Sequence, residues 1–236
     1  MEEAKIRCWK SRALPDAVCN LNAYSAPLAG KVLGVVPSKT LDKHLTQVEF
    51  VHELAARLYV DVFEEDTLCV FCGALIDPKG KHCKSCMSGG DTVLMHNTVR
   101  DIVEDYCKRG RLRPEAEAPS LLRGISVPDA RRRPADVLVC SASCLARILP
   151  DGARALGRKV ALDFAVINAV GRGHWTETFQ KSGGAEECYS TRKCRHQDTQ
   201  AKCQEAGLEF QPMVMSTQGG MTPAMGSVLQ KKLLTR

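Results

Sequence analysis

Five potential metal ligands lie within one short segment, CVFCGALIDPKGKHCKSC, in the first half of the chain. A tetrahedral zinc ion takes four ligands, so two ligand sets fit the spacing. One set is Cys69, Cys72, Cys83 and Cys86, and the other has His82 in place of Cys83. Either set fills every coordination position, which indicates a structural zinc rather than a catalytic one.

The same segment has the turns that such a site needs. A Cys-x-x-Cys pair fits a tight turn whose backbone N–H groups stabilise the thiolates, and Gly73 and Gly80 supply backbone freedom beside it. A bound zinc would stabilise a segment that has almost no hydrophobic core of its own. The alternative is a group of cysteines without a metal, which this spacing disfavours.

Two aspartates lie in or beside apolar segments that we predict to be strands. VALDFAVI, residues 160–167, is apolar on both faces, which is typical of an interior strand, so a carboxylate at Asp163 needs compensation. A divalent metal is the simplest compensation, and ordinary hydrogen bonds at a frayed strand end are the alternative. Asp136 begins a second apolar segment, DVLV. Two carboxylates on neighbouring strands, with basic residues nearby, are typical of metal-dependent phosphodiesterases.

The elements that must position these residues follow an α/β pattern. Hydrophobic periodicity and capping residues predict helices over 41–58, 91–109 and 186–206, and strands over 120–123, 136–139, 160–167 and 208–216. Residues 1–45 show weak periodicity, and residues 140–158 read as a surface insertion. Helices alternating with strands in this order predict a mixed sheet flanked by helices.

Composition excludes several classes of protein. The 236 residues include 12 cysteines, but the N-terminus (MEEAKIRCWK) has no apolar signal region, so we expect a reducing, intracellular location in which clustered cysteines bind metal. There is no apolar run long enough to span a membrane, so no membrane partner is expected. A net charge of +6 permits a nucleic-acid partner without requiring one.

The order of the motifs resembles one known arrangement. The run CVFCG, GKHCKSCMSGGDTVLMHNTVRD, RRPADV, ALDFAV, YSTRK and FQPMVMSTQGG is similar to the C-terminal region of non-LTR retrotransposon (LINE-type) polyproteins. In that region a zinc knuckle precedes a restriction-like endonuclease of the PD-(D/E)XK fold. The stretches AGKVLGVVPSKT and VEFVHELAARLYV resemble the linker after the reverse transcriptase of these polyproteins. The likeness covers about residues 29–236, and no polymerase motif is present.

The resemblance implies a domain order. It consists of an N-terminal linker and helical segment over 1–66, a zinc knuckle over 67–90 and a restriction-endonuclease-like α/β domain over 91–236. The implied function is Mg²⁺- or Mn²⁺-dependent nicking of DNA, with no small-molecule substrate. The element's RNA is a second candidate partner, and the location is nuclear if chromosomal DNA is the target.

The resemblance also implies the roles of individual residues. It makes Asp136 and Asp163 the acids that hold the catalytic metal. The position of the family lysine is occupied by Ala165, and Lys193 on the following helix is its best replacement, against the alternative of a solvated helix lysine. In the knuckle, His82 takes the place of the family histidine. This favours Cys69, Cys72, His82 and Cys86 as the zinc ligands, with Cys83 as the spare.

Two basic clusters are candidate DNA contacts. Arg131, Arg132 and Arg133 precede the first acid, and Lys79, Lys81 and Lys84 lie within the cysteine segment. Their alternative is a pair of solvated loops. Two other functions compete with the nuclease: a catalytically inactive zinc-containing nucleic-acid-binding remnant of an element, and an unrelated zinc adaptor. The adaptor reading is weaker because cross-braced ligase domains need ligands for a second zinc.

Overall fold

The structure, a computed structural model, describes residues 2–34, 36–38, 40, 44–122, 134–140 and 158–231. Within these ranges the elements are, in chain order, α1 (Glu2–Lys10), α2 (Pro15–Tyr24), α3 (Gln47–Leu58), β1 (Thr67–Leu68), β2 (Leu75–Ile76), α4 (Asp91–Arg109), β3 (Pro114–Ala116), β4 (Val137–Val139), β5 (Lys159–Ile167), α5 (Trp175–Gln180), α6 (Gly184–Arg195), α7 (Thr199–Glu205), β6 (Leu208–Ser216) and α8 (Pro223–Lys231). The predicted insertion at 140–158 lies almost wholly outside the described residues. The predicted class, a mixed α/β fold, is confirmed.

The chain divides into two compact units. The first unit comprises Met1–Asp91, Ile167–Ala185 and Ser216–Gly220. The second comprises Thr92–Val166, Glu186–Met215 and Met221–Arg236. Ile167–Ala185 and Ser216–Gly220 therefore belong to the same unit as the N-terminal residues. The division based on the sequence includes both segments in the domain over 91–236.

The second unit contains a mixed sheet with the strand order β3-β4-β5-β6. Strand β4 pairs antiparallel with both β3 and β5. In the pairing with β5, Val137 lies opposite Leu162 and Val139 opposite Val160. Strand β5 is therefore an interior strand of this sheet.

Strand β5 is buried on both faces because its alternate residues pack in different clusters. Val160, Leu162 and Phe164 share one cluster with residues of α4 and α8. Ala161 belongs to a second cluster, together with Leu138 of β4 and Cys203 of α7. The predicted strand with two covered faces is confirmed, and helices pack against the sheet through both clusters.

Most predicted elements of the second unit are confirmed, with local differences. The helix over 91–109 and the strands at 136–139, 160–167 and 208–216 occur as predicted to within one residue. The strand predicted at 120–123 is wrong: residues 120–122 form a turn, and the strand lies earlier, at Pro114–Ala116. Proline is tolerated there because β3 is an edge strand.

The predicted helix over 186–206 is divided into α6 and α7. Gln197 and Asp198, at the junction, have left-handed backbone angles, with φ of 49° and 56°. Two such residues cannot continue a right-handed α-helix. Gly207, with φ of 74°, follows the end of α7 as the sequence indicated.

In the first unit, α2 packs against α5. The Asn22 side-chain amide donates to the carbonyl oxygens of Thr178 and Phe179, at 3.0 and 2.9 Å. Trp175 Nε1 donates to Asp16 Oδ1 at 2.9 Å. Residues distant in sequence therefore form one small core around buried polar contacts.

Helix α3 begins at Gln47 and ends at Leu58, within the predicted range. It starts with a capping box, in which the Thr46 hydroxyl accepts from the Glu49 N–H and the Glu49 carboxylate accepts from the Thr46 N–H. None of its residues is fully buried. None of the described helices is both long and apolar enough to cross a membrane.

A candidate metal centre and a candidate active site

The cysteine segment brings four potential ligands together. The donor atoms of Cys69, Cys72, His82 and Cys86 all lie within 4.8 Å of one another. Cys69 Sγ and Cys72 Sγ lie 3.7 and 3.8 Å from Cys86 Sγ, and Cys72 Sγ lies 3.1 Å from His82 Nε2. Cys83 is exposed and lies outside this group. This is the ligand set that the family resemblance implies.

The distances suit a tetrahedral zinc ion. Zn–S bonds are about 2.3 Å long, so two sulfurs of a tetrahedral site lie about 3.8 Å apart. The two sulfur–sulfur distances match this value. A Cys₃His set also leaves no position open for substrate, so the group can hold zinc as a structural ion.

A short hairpin and one turn of 3₁₀-helix position the ligands. Strands β1 and β2 pair with Leu68 opposite Leu75, and the Gly73 N–H closes the connecting turn by donating to the Cys69 carbonyl at 2.8 Å. The 3₁₀ turn Lys81–Lys84, which carries His82, begins after Gly80. Gly80 has φ of 65°, and a Cβ added there would meet the Phe63 ring at 3.3 Å, so a side chain would be strained at this point.

The same turn also favours the ionised form of the Cys69 thiol. Backbone N–H groups of Phe71 and Cys72 point to the Cys69 sulfur and lower the pKa of this thiol to about 6. Cys69 is therefore largely ionised at neutral pH, which is the form that binds a metal.

The three lysines of this segment are engaged by the protein itself. Their ammonium groups contact other side chains of the first unit: Lys79 contacts Asp61 at 2.7 Å, Lys81 contacts Asp16 at 2.6 Å and Lys84 contacts the Tyr24 hydroxyl at 2.6 Å. The Lys81 ammonium holds the pKa of Asp16 below its ordinary value. These contacts brace the turn around His82, and a phosphate contact by the same lysines stays a prediction. Arg131, Arg132 and Arg133 lie outside the described residues.

In the second unit, the two predicted acids lie close to each other. Asp136 immediately precedes β4, its backbone N–H donates to the Leu162 carbonyl at 2.9 Å, and its charge contributes to a raised pKa of Asp163 on β5. Asp136 Oδ2 accepts from the Phe164 N–H at 2.7 Å and lies 3.2 Å from His96 Nε2. Both contacts use the same oxygen, so among the described residues the other carboxylate oxygen of Asp136 is left to bind a cation.

Lys193 of α6 lies beside the second acid. Its ammonium is 2.7 Å from Asp163 Oδ2 and donates to the Phe164 carbonyl at 2.9 Å. Both side chains of the ion pair are about one-fifth exposed. The compensating charge that the sequence demands for Asp163 is thus supplied by a lysine. This contact excludes the alternative of a fully solvated Lys193.

The charges around Asp163 act in opposite directions. Burial raises the pKa of this carboxyl above its ordinary value, the Lys193 ammonium opposes the rise, and the charge of Asp136 adds to it. Lys193 pairs with Asp163, whereas the nearby Asp136 carboxylate contacts His96 and the Phe164 N–H. A divalent cation between the two acids would relieve their mutual repulsion.

A cavity of about 400 Å³ opens beside Asp163. Its lining includes Tyr189, Arg192 and Lys193 of α6, followed by His196 and Gln197 at the junction with α7. Positions 189, 192, 193 and 196 have the spacing i, i+3, i+4 and i+7, so they lie on one face of the helix. An acid, three basic side chains and an aromatic ring therefore surround the same space.

Sequence reasoning left some of these residues without a role. His96 lies within the motif GKHCKSCMSGGDTVLMHNTVRD, and its contact with Asp136 spans 40 positions of the sequence. The basic face of α6 has a visible signal in the helical spacing of Tyr189, Arg192 and His196. Two other acids of the second unit pair with basic residues: Glu104 with Lys108 and Glu117 with Arg100, at 2.7 and 2.9 Å.

No protein-family model, no characterised protein and no solved structure matches the chain.

Proposed function

We propose that the protein is a metal-dependent DNA endonuclease with a restriction-endonuclease-like fold, similar to the nuclease region of non-LTR retrotransposon polyproteins. The observation that carries this proposal is the proximity of Asp163, on β5, to Asp136, just before the adjacent strand β4, with Lys193 at 2.7 Å from Asp163. Two carboxylates and one lysine at the end of a strand pair suit phosphodiester hydrolysis. The resemblance to the retrotransposon nuclease region indicates that the substrate is DNA.

Asp136 and Asp163 would hold Mg²⁺ or Mn²⁺ in this function. The bound metal would lower the pKa of a water molecule and stabilise charge on the phosphate. Phe164 N–H and His96 orient the Asp136 carboxylate through its Oδ2 oxygen. Lys193 is placed to stabilise negative charge on a phosphate beside Asp163. The Cys₃His group holds zinc and braces the first unit.

A plasmid-nicking assay tests the proposal. Asp163→Asn keeps the volume of the side chain but removes the charge that holds the metal, so nicking of supercoiled DNA with Mg²⁺ or Mn²⁺ should fall by orders of magnitude. Zinc content and DNA binding should persist. Asp105→Asn is the matched control, because Asp105 is a half-exposed residue of α4 that pairs with Arg109. Equal nicking by wild type and Asp163→Asn contradicts the assignment of the site.

A second candidate function is a zinc-containing nucleic-acid-binding protein without catalytic activity. The specific observation in its favour is that Lys193 already neutralises Asp163 through a contact of 2.7 Å. A metal would have to compete with this ammonium for the carboxylate. Absence of nicking by the wild type with either metal, together with retained DNA binding, would support this second function.

A further inference from the structure

The lining of the cavity beside Asp163 includes cationic and aromatic side chains that the proposed reaction does not use. Arg192 and His196 line it together with the ring of Tyr189. Within the described part of the chain, the side chains of Arg192 and His196 form no ion pair. A guanidinium that has no acidic partner among the described residues and lies beside a basic cavity is suited to a phosphate group.

Tyr189 adds a second kind of contact. Its ring is half-buried, and the Arg192 guanidinium lies 5.7 Å from the ring centroid. Stacking of aromatic rings and guanidinium planes on bases, combined with a cationic groove, is how single strands of nucleic acid are bound without sequence preference. In a double helix the base faces are covered by neighbouring bases, and unstacking them costs a few kcal/mol per step, so a stacking contact with Tyr189 favours an unpaired strand.

The size of the cavity agrees with this chemistry. A volume of about 400 Å³ lies in the range of sites for small ligands, so the cavity has room for about one nucleotide. Exposed Arg192, His196 and Gln197 form its solvent side. A strand that enters with one nucleotide brings its phosphate to Arg192 and Lys193, next to Asp163.

We propose that the cavity formed by Tyr189, Arg192, Lys193 and His196 binds single-stranded DNA, with a base on Tyr189 and a phosphate at Arg192. This inference rests on the proposed function for the reaction at Asp163, and it names the form of the substrate: a strand that is unpaired at the site of cleavage. Tyr189 and Arg192 then act as specificity-determining residues that select an unpaired strand.

Binding of a fluorescent oligo-dT of about 16 nucleotides, without Mg²⁺ and without a chelator, tests the stacking contact. Tyr189→Ala should weaken binding by about 5- to 150-fold, which is the contribution of base–aromatic stacking. Tyr189→Phe keeps the ring and should bind like the wild type. A duplex of equal length should bind more weakly than the single strand. Equal loss in both tyrosine variants would mean a hydroxyl contact and would overturn the inference, as would a preference for the duplex.

The salt dependence of the same binding tests the phosphate contact. Arg192→Gln should reduce the slope of log affinity against log salt by about 0.7, the value for one phosphate of a single strand. Arg195→Gln is the matched control, because Arg195 is exposed on the same helix and is not among the cavity residues. The control should keep the wild-type slope. Equal changes in the two arginine variants would overturn the phosphate assignment.

The two proposals can fail separately. Metal-dependent nicking by a protein whose oligo-dT binding is insensitive to Tyr189 and Arg192 overturns this inference and leaves the nuclease function. Binding that depends on Tyr189 and Arg192 in a protein that never nicks DNA overturns the nuclease function and leaves this inference. Exposed Arg192 tolerates substitution, so its variant remains informative if Tyr189→Ala does not fold.

Discussion

At the scale of single residues, the Asp163–Lys193 pair affects both the stability of the fold and the ability of Asp163 to bind a cation. Burial raises the pKa of Asp163, and Lys193 lowers it again. A buried pair contributes little net stability, but removal of one partner leaves an uncompensated charge. Lys193 therefore decides how much of Asp163 is ionised, and hence available to a cation, near neutral pH.

The first prediction concerns this pair and pH. Lys193→Met should lower the free energy of unfolding by about 3 kcal/mol near neutral pH, because Asp163 keeps a largely buried charge without its partner. A carboxyl whose folded pKa is raised stabilises the fold when protonated, and this stability is lost as pH rises through the folded pKa. The loss caused by Lys193→Met should therefore be larger at about pH 8 than at about pH 5.

Urea denaturation of the wild type and the variant at both pH values measures this difference. The double variant Lys193→Met/Asp163→Asn removes both charges and should recover part of the lost stability. Comparison at equal pH cancels any common effect of pH on the zinc ligands. A destabilisation that is independent of pH would show that Lys193 acts through packing alone.

The second prediction distinguishes the two potential zinc ligand sets. Wild-type protein and Cys83→Ser should each contain one zinc per chain, whereas His82→Ala should lose it, because His82 Nε2 lies 3.1 Å from Cys72 Sγ and Cys83 lies outside the group. Metal analysis of the purified proteins measures this content. Zinc loss in Cys83→Ser with retention in His82→Ala would identify the all-cysteine set instead.

At the scale of elements, β5 positions the candidate active site. Its alternate side chains enter two hydrophobic clusters, which fixes the register of β5 against β4 and the face of the sheet on which Asp163 lies. A slip of one residue would move Asp163 to the other face of the sheet. The packing of Leu162 and Phe164 therefore determines the geometry of the site.

The third prediction concerns the contribution of Leu162 packing to stability. Leu162→Ala should lower the free energy of unfolding by about 2–5 kcal/mol, because the fully buried side chain leaves a cavity. Leu94→Ala on α4 makes the same change at a side chain that is 64% exposed, and it should shift stability by less than about 0.5 kcal/mol. Chemical denaturation measures both. Equal effects would show that β5 is not the centre of the core.

The elements also show how far the sequence predicts the structure. Strands β5 and β6 are long apolar runs, and α4 has a clear helical period, so local pattern identifies them. Strand β3 is not visible because Pro114 argues against a strand except at an edge, and the edge is a property of the whole sheet. The short helices α2 and α5 depend on each other for burial, so neither has a strong pattern alone.

The candidate site was accessible to sequence reasoning in part. Asp163 is conspicuous as a charge in an apolar strand, and the resemblance directed attention to Asp136 and Lys193. The contact between Lys193 and Asp163 joins positions 30 residues apart. It depends on where α6 lies beside β5, which tertiary packing decides. His96 beside Asp136 is a contact of the same kind.

At the scale of the whole molecule, the two units are interleaved in sequence. The chain passes from one unit to the other after Asp91, Val166, Ala185, Met215 and Gly220. A cut at residue 90 therefore does not separate two independent domains. It would leave Ile167–Ala185 without the N-terminal residues of its own unit.

The fourth prediction follows from this interleaving. A fragment of residues 91–236 keeps Trp175 but loses its partners, because Trp175 Nε1 donates to Asp16 and the Trp175 carbonyl lies 3.7 Å from Cys19 Sγ. It also loses the contacts of Asn22 with Thr178 and Phe179. Solvent should then reach the indole more freely, so its fluorescence should shift to longer wavelength and the fragment should be less stable.

The chain has two tryptophans, Trp9 and Trp175, so full-length Trp9→Phe is the matched reference in which Trp175 alone emits. The emission maximum and the urea midpoint of fragment and reference should differ in the stated direction. Identical spectra and midpoints would mean that residues 91–236 fold without the N-terminal residues. A red-shifted fragment would instead show that α2 is needed to order α5 and the chain that joins β5 to α6.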